Sequence, residues 1–240
     1  TVLRQRQGQI DEAFWLVFLS VYFGKNRRTG WRLARDVYGG FGSGLWDWVR
    51  ISSRPEDFRQ WLAAHQATLR GGDGIARRFG NHRKYESLDA SSPKGPCPAA
   101  AFESYVRWVA PPRTHQMLIQ EAQRQVGGNP RQAFDHLYRS MAVASFGRTA
   151  KFDYLTMIGK LGLAPIEPGA TYMHGATGPL SGARLLFGGR TTAPLRASDL
   201  EAWLVELEAH LRLGTHGMQV LEDALCNWQK SPRTFVPFRG

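Results

Sequence analysis

The segment Ile10–Phe23, IDEAFWLVFLSVYF, is apolar on nearly every side of a helix. A helix with no polar stripe has to be covered all round, so the rest of the chain must wrap it. Its most apolar part, residues 13–23, falls short of the roughly 18 residues that a bilayer span requires. Lys25, Asn26, Arg27 and Arg28 follow at once. Asp11 and Glu12 lie in the first turn, where the positive end of the helix dipole favours carboxylates. The segment is expected as a buried helix at the centre of a helical core.

Helical patterns recur between Gly and Pro breaks, at 29–38, 55–69, 99–109, 113–126, 130–145, 179–186, 197–213 and 217–229. Pro55 and Pro130 stand at first-turn positions, Pro130 behind the capping residue Asn129. Ser198 and Glu201 read as a capping box. GGFGSG at 39–44 and GGDG at 71–74 are breaks, and LDASSPKGPCP at 88–98 is the most loop-like stretch. No strand-like alternation and no fixed-period repeat interrupts this pattern. The expectation is one all-α domain over 1–240, with a lobe boundary near 88–98.

Charge narrows the partners. The formal net charge is +11, and most of the 31 basic residues are Arg, whose planar fork suits phosphate. Residues 24–85 hold thirteen Lys or Arg against five acidic side chains. Nucleic acid is the expected partner. FGKNRRTGWR at 23–32 mixes basic, aromatic and Gly residues, so Lys25, Arg27, Arg28 and Trp31 are candidate DNA contacts. Cys97 and Cys226 make neither a disulfide framework nor a zinc site, and the seven His form no i, i+4 pair. Free thiols, a cytoplasmic location, no metal, no cofactor, no membrane and no obligate protein partner are expected. GATGPLSG at 175–182 lacks the Lys and Ser/Thr of a nucleotide P-loop. It reads instead as backbone free to approach a ligand closely.

ASFGRTAKFDYLTMIGKLG at 144–162 places Gly147 between two apolar helical patterns. An ordinary helical corner and a phosphate-binding hairpin over about 130–163 both fit. In the second reading the backbone of Gly147 approaches a phosphate, and the following helix offers N–H groups and a positive dipole. Gly147, Arg148, Thr149 and Lys151 are then DNA contacts.

FGRTAKF resembles the hairpin of the helix-hairpin-helix DNA glycosylase superfamily, with Ser145 where a first hairpin Gly is usual. In that superfamily a catalytic carboxylate, usually Asp, lies about twenty residues beyond the second hairpin Gly. Counting on from Gly147 reaches Glu167, the only carboxylate between Asp153 and Asp199. Asp153, beside Lys151 in the second hairpin helix, is the second candidate. The longer run FGRTAKFDYLTMIGKLGLAPIEPGATYMHGATGPLSGARLLFGG, with LEDALCNWQK near the end, is similar to the alpha-glutamyl/putrescinyl thymine pyrophosphorylase family, clade 3. The similarity extends over about 14–230.

The resemblance implies a glycosylase-like fold of two helical lobes around a cleft. It also implies an enzyme handling a modified base in DNA, with a link to the hypermodified bases of phage. Breaking an N-glycosidic bond puts positive charge on the sugar, which a carboxylate near C1′ stabilises. A Lys amine attacking C1′ would instead form a Schiff base. The base must leave the duplex to be reached. Tyr172 and His174 are expected in its pocket, with Asn227 and Lys230, beside Glu222, Asp223 and Trp228, as the opposite wall. Three activities follow: excision of a bulky modified base in anti-phage defence; transfer of an amine or amino acid to a pyrophosphorylated hydroxymethyl-thymine; or DNA binding alone.

Overall fold

The structure is a computed structural model that describes residues 1–80, 86–90 and 97–236. The described residues form α-helices and no strand. In order these are α1 (Val2–Arg6), α2 (Ile10–Phe23), α3 (Arg32–Tyr38), α4 (Trp48–Ser53), α5 (Pro55–Ala67), α6 (Pro98–Val109), α7 (His115–Gln125), α8 (Pro130–Ser140), α9 (Arg148–Lys160), α10 (Gly178–Gly188), α11 (Ala197–Leu211) and α12 (Gly217–Trp228). The fold is all-α, as the periodicity indicated. Two compact units divide the chain: Thr1–Ala122 with Arg139–Ala150, and Gln123–Tyr138 with Lys151–Gly240. The boundary expected near 88–98 falls largely on 91–96, outside the described residues.

In the first unit α2 is buried as its composition demands. Trp15, Phe18, Tyr22 and Phe23 are all fully buried and pack on Phe102 of α6. Trp15 donates its indole N–H to the Trp46 carbonyl at 2.8 Å, so the largest core side chain is also satisfied. Asp11 accepts from the His115 backbone N–H at 2.8 Å and from its ring Nδ1 at 2.6 Å. Tyr105 Oη lies 2.8 Å from the other ring nitrogen. Burial works against ionisation of Asp11, but the His115 hydrogen bonds outweigh it and hold its carboxyl below the ordinary value. Burial also lowers the His115 pKa, so a neutral ring donates to Asp11 and accepts from Tyr105.

Two local readings are corrected. The helix expected over 130–145 stops at Ser140, and residues 141–147 form a non-helical link. Met141, Val143 and Phe146 of that link are buried, so core packing sets its path rather than helix propensity. Ser198 and Glu201 do not cap α11, which begins behind Arg196 with no side-chain cap. Glu201 instead receives backbone N–H bonds from Thr171, Tyr172 and Met173, together with the Thr171 hydroxyl. Three successive amides converging on one carboxylate form an anion nest that an internal side chain fills.

In the second unit the Gly-rich signature packs one helix on another. A Cβ on Gly182 of α10 would lie 2.2 Å from the Leu225 carbonyl oxygen of α12, and one on Gly178 would lie 2.7 Å from Cys226 Sγ. These positions, four apart, share one helix face and let α10 and α12 cross at backbone contact. The reading of GATGPLSG as a ligand cradle is therefore corrected for Gly178 and Gly182, whose missing side chains make room for α12. Gly182→Ala is expected to destabilise the protein by about 2 kcal/mol, the scale of forced overpacking. Urea unfolding checks this, and an unchanged midpoint would refute it.

Candidate active site and nucleic-acid contacts

Both candidate catalytic carboxylates and the predicted base-pocket residues lie in the second unit. Pro130 and Asn129 open α8, and Asn129 Oδ1 accepts from the Arg131 and Gln132 amides. This fixes Arg131 at the helix start. Its guanidinium reaches Glu167 at 3.0 Å through Nε and Glu208 of α11 at 3.3 Å through Nη2. Glu208 is buried, while Glu167 is partly exposed. Glu167 Oε2 also accepts from the His216 backbone N–H at 3.4 Å. One guanidinium thus serves two carboxylates, and the trio keeps a net negative charge. A partly exposed carboxylate in such a trio can face a developing cation without being fully neutralised.

Further along the same face of α8, Phe134, Asp135 and Tyr138 meet Tyr172. The Tyr138 and Tyr172 rings lie 4.1 Å apart, Phe134 lies 5.7 Å from Tyr172, and Tyr172 Oη donates to Asp135 at 3.4 Å. Tyr172 has φ +52°, in the left-handed region, and the Glu201 nest holds it there. Glu167 and Tyr172 therefore share the face of α8 that carries Arg131 and Tyr138, spaced by about two turns, roughly 10 Å. His174, two residues on, is exposed.

Asn227 and Lys230 lie elsewhere in this unit. They sit at the C-terminal end of α12, whereas Glu167 touches its N-terminal end through His216. Twelve residues of helix separate these ends by about 18 Å, more than one nucleoside spans. The Asn227 amide donates to the Asp223 carbonyl and its oxygen accepts from Lys230. Asp223, Asn227 and Trp228 line a cavity of about 470 Å³ with Phe235. Glu222 is buried. Asp153 is exposed on α9. Lys151 donates to the Tyr138 carbonyl at 3.3 Å and stands over the Tyr138 ring. Burial lowers its pKa. A phosphate contact from Lys151 would compete with this helix-end bond.

The turn residues belong to the first unit. Gly147 and Thr149 are exposed, and a Cβ on Gly147 would meet nothing within 4 Å. Ser145 has φ +64°, the left-handed conformation that favours glycine. Gly147 and Arg148 lead directly into α9.

The basic stretch 24–85 divides by partner. Arg77 is buried between Asp36 and Asp73. Arg59 pairs with Glu103, Arg70 with Asp89, and Arg50 lies on the Trp46 ring at 3.7 Å. Lys25, Arg27 and Arg28 are exposed and have no carboxylate partner among the described residues. They ride a tight loop closed by paired Asn26 and Gly30 backbone bonds. Asn26 Oδ1 accepts from the Arg28 and Thr29 amides, and its Nδ2 holds the Phe79 carbonyl. Trp31, 41% exposed, stands at the edge of the loop. Arg83 and Lys84 lie outside the described residues.

The family model for alpha-glutamyl/putrescinyl thymine pyrophosphorylase, clade 3, matches residues 1–240. The chain belongs to this family. Comparison with curated proteins and with solved structures returned no match. The description of the clade 3 family is that of an enzyme acting on a modified thymine, the pyrimidine that distinguishes DNA. No described helix is long and apolar enough to cross a membrane.

Sequence reasoning did not single out Arg131, Glu208 or His216, and it read Glu201 only as half of a capping box. Pro130 and the Asn129 cap marked where α8 begins, but nothing in the spacing announces that Arg131 joins Glu167 to Glu208.

Proposed function

We propose that this member of the clade 3 family cleaves the N-glycosidic bond of a bulky modified thymine-type base in DNA, leaving an abasic site. The supporting observation is Glu167, a partly exposed carboxylate in a trio that keeps negative charge, in a chain of a family named for modified thymine. In this reading Glu167 stabilises the cationic sugar and orients water, and Tyr172 and His174 flank the extruded base. Gly147, Arg148 and Thr149, and separately Lys25, Arg27, Arg28 and Trp31, contact DNA. Excision of a hypermodified phage base would serve defence in the cytoplasm.

The family description favours a second reading, in which the protein replaces a pyrophosphoryl group on hydroxymethyl-thymine with an amine or amino acid. Mass spectrometry after incubation with DNA carrying hydroxymethylated, glycosylated, amine-modified or pyrophosphorylated hydroxymethyl pyrimidines, the last together with an amine or amino acid, separates the two. A free base and an alkali-labile site mean excision, and an amine-bearing nucleoside with released pyrophosphate means transfer. Neither product from any of these DNAs would refute both.

Removing the loop charges should weaken DNA binding whatever the chemistry. For Arg27→Ala with Arg28→Ala, the slope of log affinity against log salt is expected to flatten by about 0.9 per lost phosphate contact. An unchanged slope in a fluorescence titration would remove this loop from the DNA interface.

A further inference from the structure

The excision reading assigns a group to the sugar and none to the leaving base. We propose that His216 is a second catalytic group of this site, its neutral ring donating Nε2–H to the carbonyl oxygen of the leaving pyrimidine while Glu167 faces the sugar. The inference rests on the excision reading.

Four observations carry it. His216 is held at φ +65°, left-handed for a residue with a side chain, at the start of α12. Its backbone N–H is fixed by Glu167. Its ring lies close to Gly159 of α9, where a Cβ would come within 3.2 Å of ring carbon Cε1, although the Ile166 carbonyl oxygen is nearer still to that position. Nδ1 is buried with no hydrogen-bond partner among the described residues, while the residue as a whole is partly exposed.

The buried nitrogen decides the tautomer. An unpaired buried N–H is costlier than an unpaired lone pair. The lone pair therefore belongs on Nδ1 and the proton on Nε2, which makes Nε2 the ring's donor. Burial lowers the His216 pKa, Lys160 adds to this, and Glu167 opposes it. Glu208 and Arg131 complete the charged groups around this end of α12, since a Cβ on Gly217 would lie 2.6 Å from Glu208 Oε1.

The step balances with water as the only co-reactant. The C1′–N1 bond breaks and its electron pair passes into the base, with charge shared onto the carbonyl oxygen. His216 hydrogen-bonds that oxygen. Water adds to C1′, and its proton ends on the released base. Protonating His216 would place an unpaired Nδ1–H in the interior and a positive charge beside the forming sugar cation. The rate is therefore expected to fall as pH drops through the lowered His216 pKa.

Two measurements on the full chain test this. Long-range proton–nitrogen NMR, with the His216 signal assigned by its loss in His216→Gln, should show the Nε2–H tautomer near neutral pH. The Nδ1–H tautomer would overturn the proposal. Single-turnover base release from duplexes bearing 5-hydroxymethyluracil or its amine adducts should fall about 10²-fold in His216→Ala, the scale of one lost transition-state donor. His216→Gln keeps an N–H donor that does not titrate. It should recover most of the rate and lose the acid limb. Wild-type turnover in His216→Ala, with Glu167→Gln inactive, would overturn the proposal and leave the excision reading standing. Wild-type turnover in Glu167→Gln would remove both.

Discussion

Glu167→Gln is expected to cut single-turnover release of a modified base by about 10³-fold, within the range for losing a positioned acid–base or charge-stabilising group. The substitution keeps the side-chain shape. The amide oxygen can still accept from Arg131, and the pair is partly exposed, so the folded state should change little. What disappears is the negative charge available to a cationic sugar. DNA affinity should be retained, because removing a carboxylate cannot weaken attraction to phosphate. Base release and equilibrium binding measured on one duplex check both halves. A variant with wild-type turnover would refute the role of Glu167. A variant that lost binding in step with turnover would instead show that Glu167 shapes the binding surface.

Arg77→Met is expected to lower unfolding stability by about 3 kcal/mol, the scale of breaking a buried ion pair from one side. The Arg77 side chain is only 3% exposed. Its Nε meets Asp36 at 2.5 Å, and Nη1 and Nη2 meet both oxygens of Asp73 at 2.8 and 2.7 Å. Nη1 also holds the Thr68 and Ile75 carbonyls. Met restores much of the volume but no donor, so these carbonyls and the two carboxylates lose their shared partner. Urea unfolding should show a lower midpoint with an unchanged slope. A loss under about 1 kcal/mol, the range of exposed ion pairs, would mean that solvent already satisfies those acceptors.

Arg77 also shows where sequence reading reached its limit. In the chain it is one of thirteen basic residues in a stretch inviting a polyanion. In the fold it is an interior strut, and Arg59, Arg70 and Arg50 are engaged as well. A count of charges cannot see pairs made between residues 19 to 44 positions apart. The exposed cations of the 25–28 loop were legible because Asn26 and Gly30 form a local turn. The boundaries of α2 were legible for a similar reason, since its apolar run and first-turn carboxylates are local signals.

The candidate site divides the same way. Its isolated carboxylate, Glu167, was visible in the sequence because no other acidic residue lies between Asp153 and Asp199. The separation of Asn227 and Lys230 from Glu167 was hidden, because it depends on which end of α12 each one meets. Ser145 looked like a departure from a hairpin glycine, yet its backbone takes the left-handed conformation that glycine favours. Gly178 and Gly182 looked like a ligand loop, but α12 fills the space that their missing side chains leave.

By itself the sequence determined the all-α class, the buried central helix, the basic surface and the family, because composition, 3.6-residue periodicity and motif order are properties of the chain. Only the tertiary structure decided that Arg131 joins Glu167 to Glu208, that Glu201 pins Tyr172, and that His216 buries one ring nitrogen. Those contacts bring together residues 29 to 77 positions apart, and no local pattern encodes a distance that packing alone sets.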